Sequence, residues 1–280
     1  HMKHLYFSLF FFLFFFISCN NKTNIEAVFN EEALFTNGIG GYACYRIPAI
    51  VSNKNGVLFA FAEGRVNDCG DYGNVDILLR ISTDHGSHWS PAQKVIDKDL
   101  YQAGNPAPVF DFTDPRYPEG RLFLFFNTGN ANEYDIRSGL GERKVWFTTS
   151  TNMGIDWNTP VEISSQVHFS KQNPILNKDW RAHANTPGHG IQLTKGKYKG
   201  RLYIAANHST GDFKSDASDY QTYGYYSDDH GETWKVSPDI NWPSSNEAIA
   251  TELPNGNLML NIREQNGQSR RRIVALSDQG

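Results

Sequence analysis

The chain has 280 residues with 26 basic and 30 acidic side chains, a net charge of −4, so it carries no polybasic field for nucleic acid. Aromatic residues make up 14% and charged residues 20%, which excludes a disordered chain and supplies enough apolar material for one large domain or two small ones. Recognition of an anion must therefore be local, in a pocket.

His1 precedes Met2 and is set aside as a cloning remnant. Lys3 and His4 lead into an apolar run from Leu5 to Ser18, followed by Cys19 and the polar NNKTN. The run is shorter than the ~20 residues of a comfortable membrane span. A small residue directly before Cys resembles a bacterial lipoprotein processing site, with an ordinary signal peptide or an uncleaved anchor as competing readings. The expectation is a lipoprotein-type signal over 1–19, a linker over 20–30 and a folded domain over 31–280. Cys19 would carry the lipid, the sole membrane attachment of an exported cell-envelope protein, with the periplasm or secretion as alternatives.

GYACYRIPAI, residues 41–50, reads as a buried strand closed by a proline and holding one guanidinium, Arg46. A desolvated charge is costly without an anion beside it, and that anion is either an internal carboxylate or a ligand. Cys44 and Cys69 form an even pair in an exported chain, so a disulfide is permitted although their spacing does not demand one. No CxxC, HExxH or histidine cluster at ligand spacing is present, which gives a catalytic metal no support and implies no cofactor.

From residue 20 onward, short Val, Ile, Leu, Phe and Tyr runs alternate with Gly, Asn, Asp and Pro clusters, which predicts an all-β fold. Four segments share Gly-x-Leu followed by apolar residues, beginning at Gly56, Gly120, Gly200 and Gly256. Each precedes a second recurring element: STDHGSHW (82–89), STNMGIDW (150–157), SDDHGETW (227–234) and LSDQG, which runs to Gly280. The boxes lie 49 to 77 residues apart, enough for a four-stranded antiparallel blade, and four propeller blades are predicted. Asp84, Asn152 and Asp229 read as turn staples whose side chains accept from turn amides, with a positive-φ Gly and a packed Trp beside them.

These boxes, with Tyr45-Arg46-Ile47-Pro48 upstream of the first, resemble the bacterial exo-α-sialidases built on a six-bladed propeller. The resemblance covers residues 30–280. It implies that Arg46 meets the carboxylate of sialic acid, since a planar guanidinium can bind both oxygens in parallel. It also matches Glu247 and Arg263, in SSNEAIATELPNGNLMLNIREQ, to the family's glutamate and second arginine. The hairpin turn PNGN between them would return both side chains to one end of a blade, with Glu252 as a competing surface carboxylate. Asp71 matches the family's acid/base aspartate better than Asp68 or Asp76, the latter read as a strand carboxylate. Arg65 resembles an additional arginine near the substrate, while Arg80 reads as blade surface. GNPAPVF (104–110) and NTPGHGIQL (185–193) resemble loops approaching the sugar, so Asn105 is a candidate substrate contact or a solvated loop residue.

By resemblance the reaction is retaining hydrolysis of a terminal α-linked sialic acid on a glycoprotein, glycolipid or glycan. Asp71 would act as acid and base, Glu247 would activate a tyrosine nucleophile, and Arg46 and Arg263 would hold the carboxylate. A neutral phenol spares the reacting carbon, which already bears a carboxylate, a second anion. No tyrosine here matches the nucleophile, and it and a third arginine are expected beyond residue 280, with about two further blades. Such an open ring would be inactive alone. Two alternatives are a propeller that binds sialoglycans or a protein without cleaving them, and an enzyme that transfers sialic acid to another sugar.

Overall fold

Each Gly-x-Leu segment enters the second strand of an antiparallel unit, and each box closes the third. The computed structural model describes residues 29–171 and 178–278. The expected leader, with Cys19, lies outside the described residues, as does the 20–30 linker apart from residues 29 and 30. Among the described residues no helix is long and apolar enough to cross a membrane. Leu34–Gly280 forms one unit, apart from His1–Ala33, and carries all the elements that follow.

The first sheet unit contains β1 (Cys44–Ser52), β2 (Leu58–Arg65), β3 (Val75–Ser82) and β4 (Gln93–Ile96). The second contains β5 (Gln102–Asp111), β6 (Arg121–Gly129), the short helix α1 (Glu133–Arg137), β7 (Arg143–Ser150) and β8 (Val161–Glu162). After the turn of helix α2 (Ser164–Val167), the third unit is built from β9 (Trp180–Asn185), β10 (Ile191–Gln192), β11 (Leu202–Thr210), β12 (Tyr220–Ser227) and β13 (Lys235–Val236). The fourth has β14 (Ser245–Glu252), β15 (Leu258–Glu264) and β16 (Arg272–Ser277). Neighbouring strands within a unit are antiparallel, and one parallel pair, Val75 with Gln102, joins the first unit to the second.

The core lies between successive sheets, which explains why strand β6 reads as an unbroken apolar run. Leu122, Leu124 and Phe126 pack toward the first unit, against Phe59, Phe61 and Leu79, while Phe123 and Phe125 pack toward Ile204, Tyr225 and Trp234 of the third. A strand buried on both faces loses the polar alternation of a half-buried one. A third layer joins Tyr203 and Ala205 to Leu258, Leu260 and Ile262. Each fully buried side chain of this size contributes about 1.5–3 kcal/mol.

The boxes seal these layers. In all three complete copies the Ser hydroxyl donates to the Asp or Asn oxygen at 2.7–3.0 Å, and that oxygen accepts the amide four residues on at 2.9–3.0 Å. Gly154 and Gly231 take φ of 76° and 85°, and a Cβ there would strike Leu79 and Phe123 of the preceding unit. Trp157 and Trp234 likewise pack on Phe61 and Phe125 of that preceding unit. The structural reading of Asp84, Asn152 and Asp229 holds.

Two expectations change. Strand β1 is not buried: it packs one face only, burying Cys44 and Ala49, while Arg46, Pro48 and Ile50 are exposed. GNPAPVF is no loop but the body of strand β5, because its small residues fit between the neighbouring sheets.

Candidate active site

A polar cleft of about 210 Å³ opens at the end of the sheets opposite the boxes, lined by side chains from all four units. It contains Arg46, Arg65, Asp71, Asn105, Glu247 and Arg263, so the six favoured site residues come to one place.

A recurring backbone device aims them. Pairing registers slip between Arg46 and Ala49, between Gly104 and Ala107, and between Ser245 and Ala248. Each slip is a β-bulge in the first strand of its unit, and bulges re-aim side chains at the end of a sheet. Ile47 and Asn105 adopt φ of 51° and 54° there, each followed by a proline that has no ladder N–H to lose. A β-branched residue at positive φ is a strained position, held only because the surroundings determine it.

At the first corner Arg46 NH1 donates to Asp71 Oδ1 at 2.6 Å and to the Cys69 carbonyl at 3.3 Å. The expectation of a buried arginine kept for a ligand is therefore corrected: of the two partners that the sequence leaves open, an internal carboxylate is present. Arg46 is 43% exposed at the end of a one-faced strand and takes the nearest carboxylate. Its Nε and NH2 make no hydrogen bond to a described residue. Cys44 and Cys69 are joined by a disulfide, settling the pairing that the spacing left open, and this fastens the 66–74 loop to strand β1 two residues before Asp71.

Arg65 was expected to contact substrate, but its nitrogens are engaged by the protein. Nε and NH2 donate to Glu63 Oε2 at 3.0 and 2.6 Å, and NH1 donates to the Cys69 and Gly70 carbonyls and to Asp71 Oδ1 at 2.7–2.8 Å. Burial raises the proton affinity of the Asp71 carboxyl, but Arg65 first and Arg46 second outweigh it, and the group sits below its ordinary value. Glu63, fully buried, is pushed up by burial against the opposing pull of Arg65 and of the Asn105 amide, which donates to Oε1 at 2.7 Å. One buried carboxylate thus fixes both Arg65 and the Asn105 bulge. The Asn105 side chain makes no hydrogen bond to a described residue and lines the cleft.

At the opposite corner Arg263 NH1 donates to Glu247 Oε2 at 2.8 Å, with the two side chains 48% and 32% exposed. The hairpin through Pro254–Asn257 returns strand β15 beside β14, as the turn sequence predicts. Glu252 lies elsewhere, accepting from Thr194 and Lys195. Asp76 is a buried strand carboxylate bound by Tyr42 at 2.7 Å and Lys94 at 2.9 Å, and Arg80 lies over Phe35. Asp68 accepts from the Gly70 amide. None of the residues 186–190 lines the cleft; Thr186 instead donates to the Ala248 carbonyl.

The sequence reading missed one wall. Tyr220 donates to Glu133, Arg143 donates to Glu133 at 2.8 Å and to Gln102, and His183 accepts or donates to Asn127 and Tyr223 at 2.7 and 2.9 Å. Burial and then Glu133 push the Tyr220 phenol well up, so it stays protonated, and burial holds His183 well below its ordinary value, so it stays neutral. Glu63 had a signal, since residues two apart on a strand share a face. Tyr220 and Glu133 had none, coming from the start of strand β12 in the third unit and from the β6–β7 connection in the second. Asp111, Asp114 and His230, at the box end, also converge. Asp114 is met by Arg116 and Arg121, and Asp111 shares a hydrogen bond with the His230 ring, the pattern of a structural network.

Residues 56–280 match the family of BNR repeat-like domains. The chain is 30% identical over 275 residues to a sialidase of Micromonospora viridifaciens, covering 91% of this chain and 38% of that protein. It is 27% identical to a sialidase of Paraclostridium sordellii, over 78% of this chain and 52% of the relative. Among solved structures, the Hadza microbial sialidase Hz136 superposes with a TM-score of 0.68 at 22% identity, covering 85% of this chain and 45% of that one. The chain thus spans about a third to a half of the length of these relatives. Its sheets have the fold of a sialidase-type β-propeller, and it belongs to the family of BNR repeat-like domains.

Proposed function

We propose that this chain carries the carboxylate-binding half of an exo-α-sialidase that removes terminal α-linked sialic acid from glycoproteins, glycolipids or free glycans with retention. The observation that carries the reading is the pairing of two half-exposed arginines with two carboxylates across one cleft, Arg46 with Asp71 and Arg263 with Glu247. Charge-assisted hydrogen bonds from two guanidiniums suit a sugar carboxylate. Such a ligand competes with Asp71 for Arg46 and with Glu247 for Arg263. Freed from Arg46, Asp71 loses one of the cations that hold its carboxyl down, and its proton affinity rises toward that of an acid.

In this reading Asp71 gives its proton to the glycosidic oxygen as that bond breaks, and then takes a proton from the water that releases the sugar. A tyrosine oxygen holds the sugar in between, with Glu247 accepting its proton. Tyr220 donates to Glu133 and not to Glu247, so it does not hold the place of that tyrosine in this reading. The disulfide supports an exported, oxidising location, and a lipid on Cys19 remains part of the proposal. A ring of six blades remains part of the proposal.

A fluorogenic aryl sialoside tests it on a form extended by the remaining blades, the 280-residue chain alone being expected to show no turnover. Replacing Arg46 or Arg263 by Ala should lower kcat/KM by about 10- to 150-fold, the range of a lost charged hydrogen bond of about 1.5–3 kcal/mol. Asp71→Asn should abolish cleavage of natural sialosides while sparing sialic acid binding. Sialic acid binding without turnover in a form extended by the remaining blades would favour a purely binding propeller. No binding at all would refute both readings.

A further inference from the structure

His183 lines the cleft from strand β9, 3% exposed, with both ring nitrogens engaged by buried partners. The directions of the surrounding hydrogen bonds fix where its proton sits. The Tyr223 hydroxyl gives its hydrogen to the Val167 carbonyl at 2.6 Å, so at the 2.9 Å contact with His183 the phenol accepts and Nε2 donates. Asn127 Oδ1 accepts from the Asn185 backbone amide at 3.1 Å, so the NH2 end of Asn127 faces the ring and donates to Nδ1 at 2.7 Å. A neutral imidazole protonated on Nε2 satisfies this chain, whereas the other tautomer and the imidazolium do not.

The chain of bonds crosses a seam. Asn127 belongs to β6 of the second unit, in register with Gly104 beside the Asn105 bulge, whereas His183 and Tyr223 belong to β9 and β12 of the third. Asn105 lines the cleft from one side of that seam, and the paired residues Ala184 and Asn207 line it from the other. Buried polar groups without a competing solvent partner hold such a geometry strictly. A proton on Nδ1 would undo it, because Asn127 cannot turn its oxygen to the ring without abandoning Asn185. The surroundings oppose that proton. Beyond burial, the charges bearing on His183 come from His168 at the end of α2, 5.2 Å away, from His208 on β11 and from Arg143 on β7, all of which disfavour an imidazolium. Asp239, the carboxylate on this side, is taken by His208 at 3.1 Å, and burial keeps the Tyr223 and Tyr225 phenols of β12 neutral. His168, 2% exposed, has no hydrogen-bond partner for either nitrogen, and burial pushes it down to about 3, so it too stays neutral.

We propose that His183 is a positioning residue for the cleft: protonated on Nε2 alone, it ties Asn127 of the second unit to Tyr223 of the third and so fixes the spacing of the walls that carry Asn105 and Asn207. The inference rests on the sialidase reading for its kinetic consequence, but not for the state of the ring. In the form extended by the remaining blades, nitrogen-15 NMR should show His183 as the Nε2-protonated neutral tautomer at neutral pH and still at about pH 5, below the ordinary histidine midpoint. Asn127→Asp keeps the side chain's shape but offers Nδ1 an acceptor, so it should draw a proton there and raise the midpoint toward the ordinary 6.5. His183→Leu should raise KM for an aryl sialoside about tenfold with a smaller change in kcat, the size of one lost hydrogen bond. His183→Gln, which presents an acceptor and a donor without titrating, should recover most of that loss. A ring protonated on Nδ1, a wild-type midpoint near 6.5, or equal KM in the Leu and Gln variants overturns the inference. If His183→Leu does not fold, Asn127→Asp carries the test. Failure of the wild-type extended form to cleave or bind any sialoside would instead count against the proposed function, and the tautomer with its response to Asn127→Asp would still decide whether His183 forms the tie.

Discussion

Two corners of the cleft carry the same chemistry on different foundations. Arg46 with Asp71 and Arg263 with Glu247 are single-point ion pairs of 2.6 and 2.8 Å between side chains open to solvent. Behind the first stands a buried ion pair, Arg65 with Glu63, 3% and 1% exposed, and a disulfide. Behind the second is a 3.3 Å contact between Asn246 and Gln265, with no ionic support. The first corner is prebuilt, and the second can adjust around whatever enters. Rigid support lowers the ordering cost of binding, whereas an adjustable partner tolerates variation in the ligand.

The largest way to break that contrast is to remove Glu63. Glu63→Ala leaves the Arg65 guanidinium buried with half its donors unmet and strips the Asn105 amide of its acceptor. Breaking a buried pair from one side costs about 3–5 kcal/mol. Glu247→Ala, at the open corner, should cost about 0–1 kcal/mol, the usual range for a solvent-exposed pair. Urea unfolding of the two variants compares them directly, and equal losses would show that the corners do not differ in support. Next in size is the disulfide. Cys44 and Cys69 are 25 residues apart, and replacing both by Ser should cost about 2–4 kcal/mol. The effect should centre on the 66–74 loop, read as faster amide exchange there than in the 253–257 turn of the other corner. Uniform acceleration would assign the disulfide to global stability alone.

The sequence carried the repeats because each one is local. Gly-x-Leu and its box lie on consecutive strands of one sheet, and the turn geometry that needs a positive-φ Gly leaves a fixed spacing. Arg46, Asp71, Glu247 and Arg263 were legible for a related reason: each sits at a strand end or turn that a short motif marks. What eluded it depends on sheets meeting in space. The exposure of Arg46 follows from β1 packing one face only, which no run of ten residues reveals. GNPAPVF looked like a loop because its Pro and Gly residues mark a bulge inside a strand. Tyr220, opening strand β12, meets Glu133, in the β6–β7 connection 87 residues earlier, and no spacing rule links them.

The finest test of the contrast is the titration of Asp71. Its folded-state value lies below the ordinary 3.8, so ionised Asp71 stabilises the fold fully above about pH 4, and that contribution fades as the pH falls through the folded value. The side chain is 73% exposed, so much of the effect is screened and should weaken further in 1 M salt. Carbon-13 NMR of the carboxyl should place its midpoint below 3.8. Arg46→Gln should move the midpoint upward, yet not restore it, because Arg65 is the stronger of the two holds and remains tied to Glu63. Free sialic acid, by engaging Arg46, should move it in the same direction in the wild-type protein. A midpoint indifferent to both would separate Asp71 from Arg46, and the exchange of carboxylates that the first corner is built to permit would have no chemical consequence.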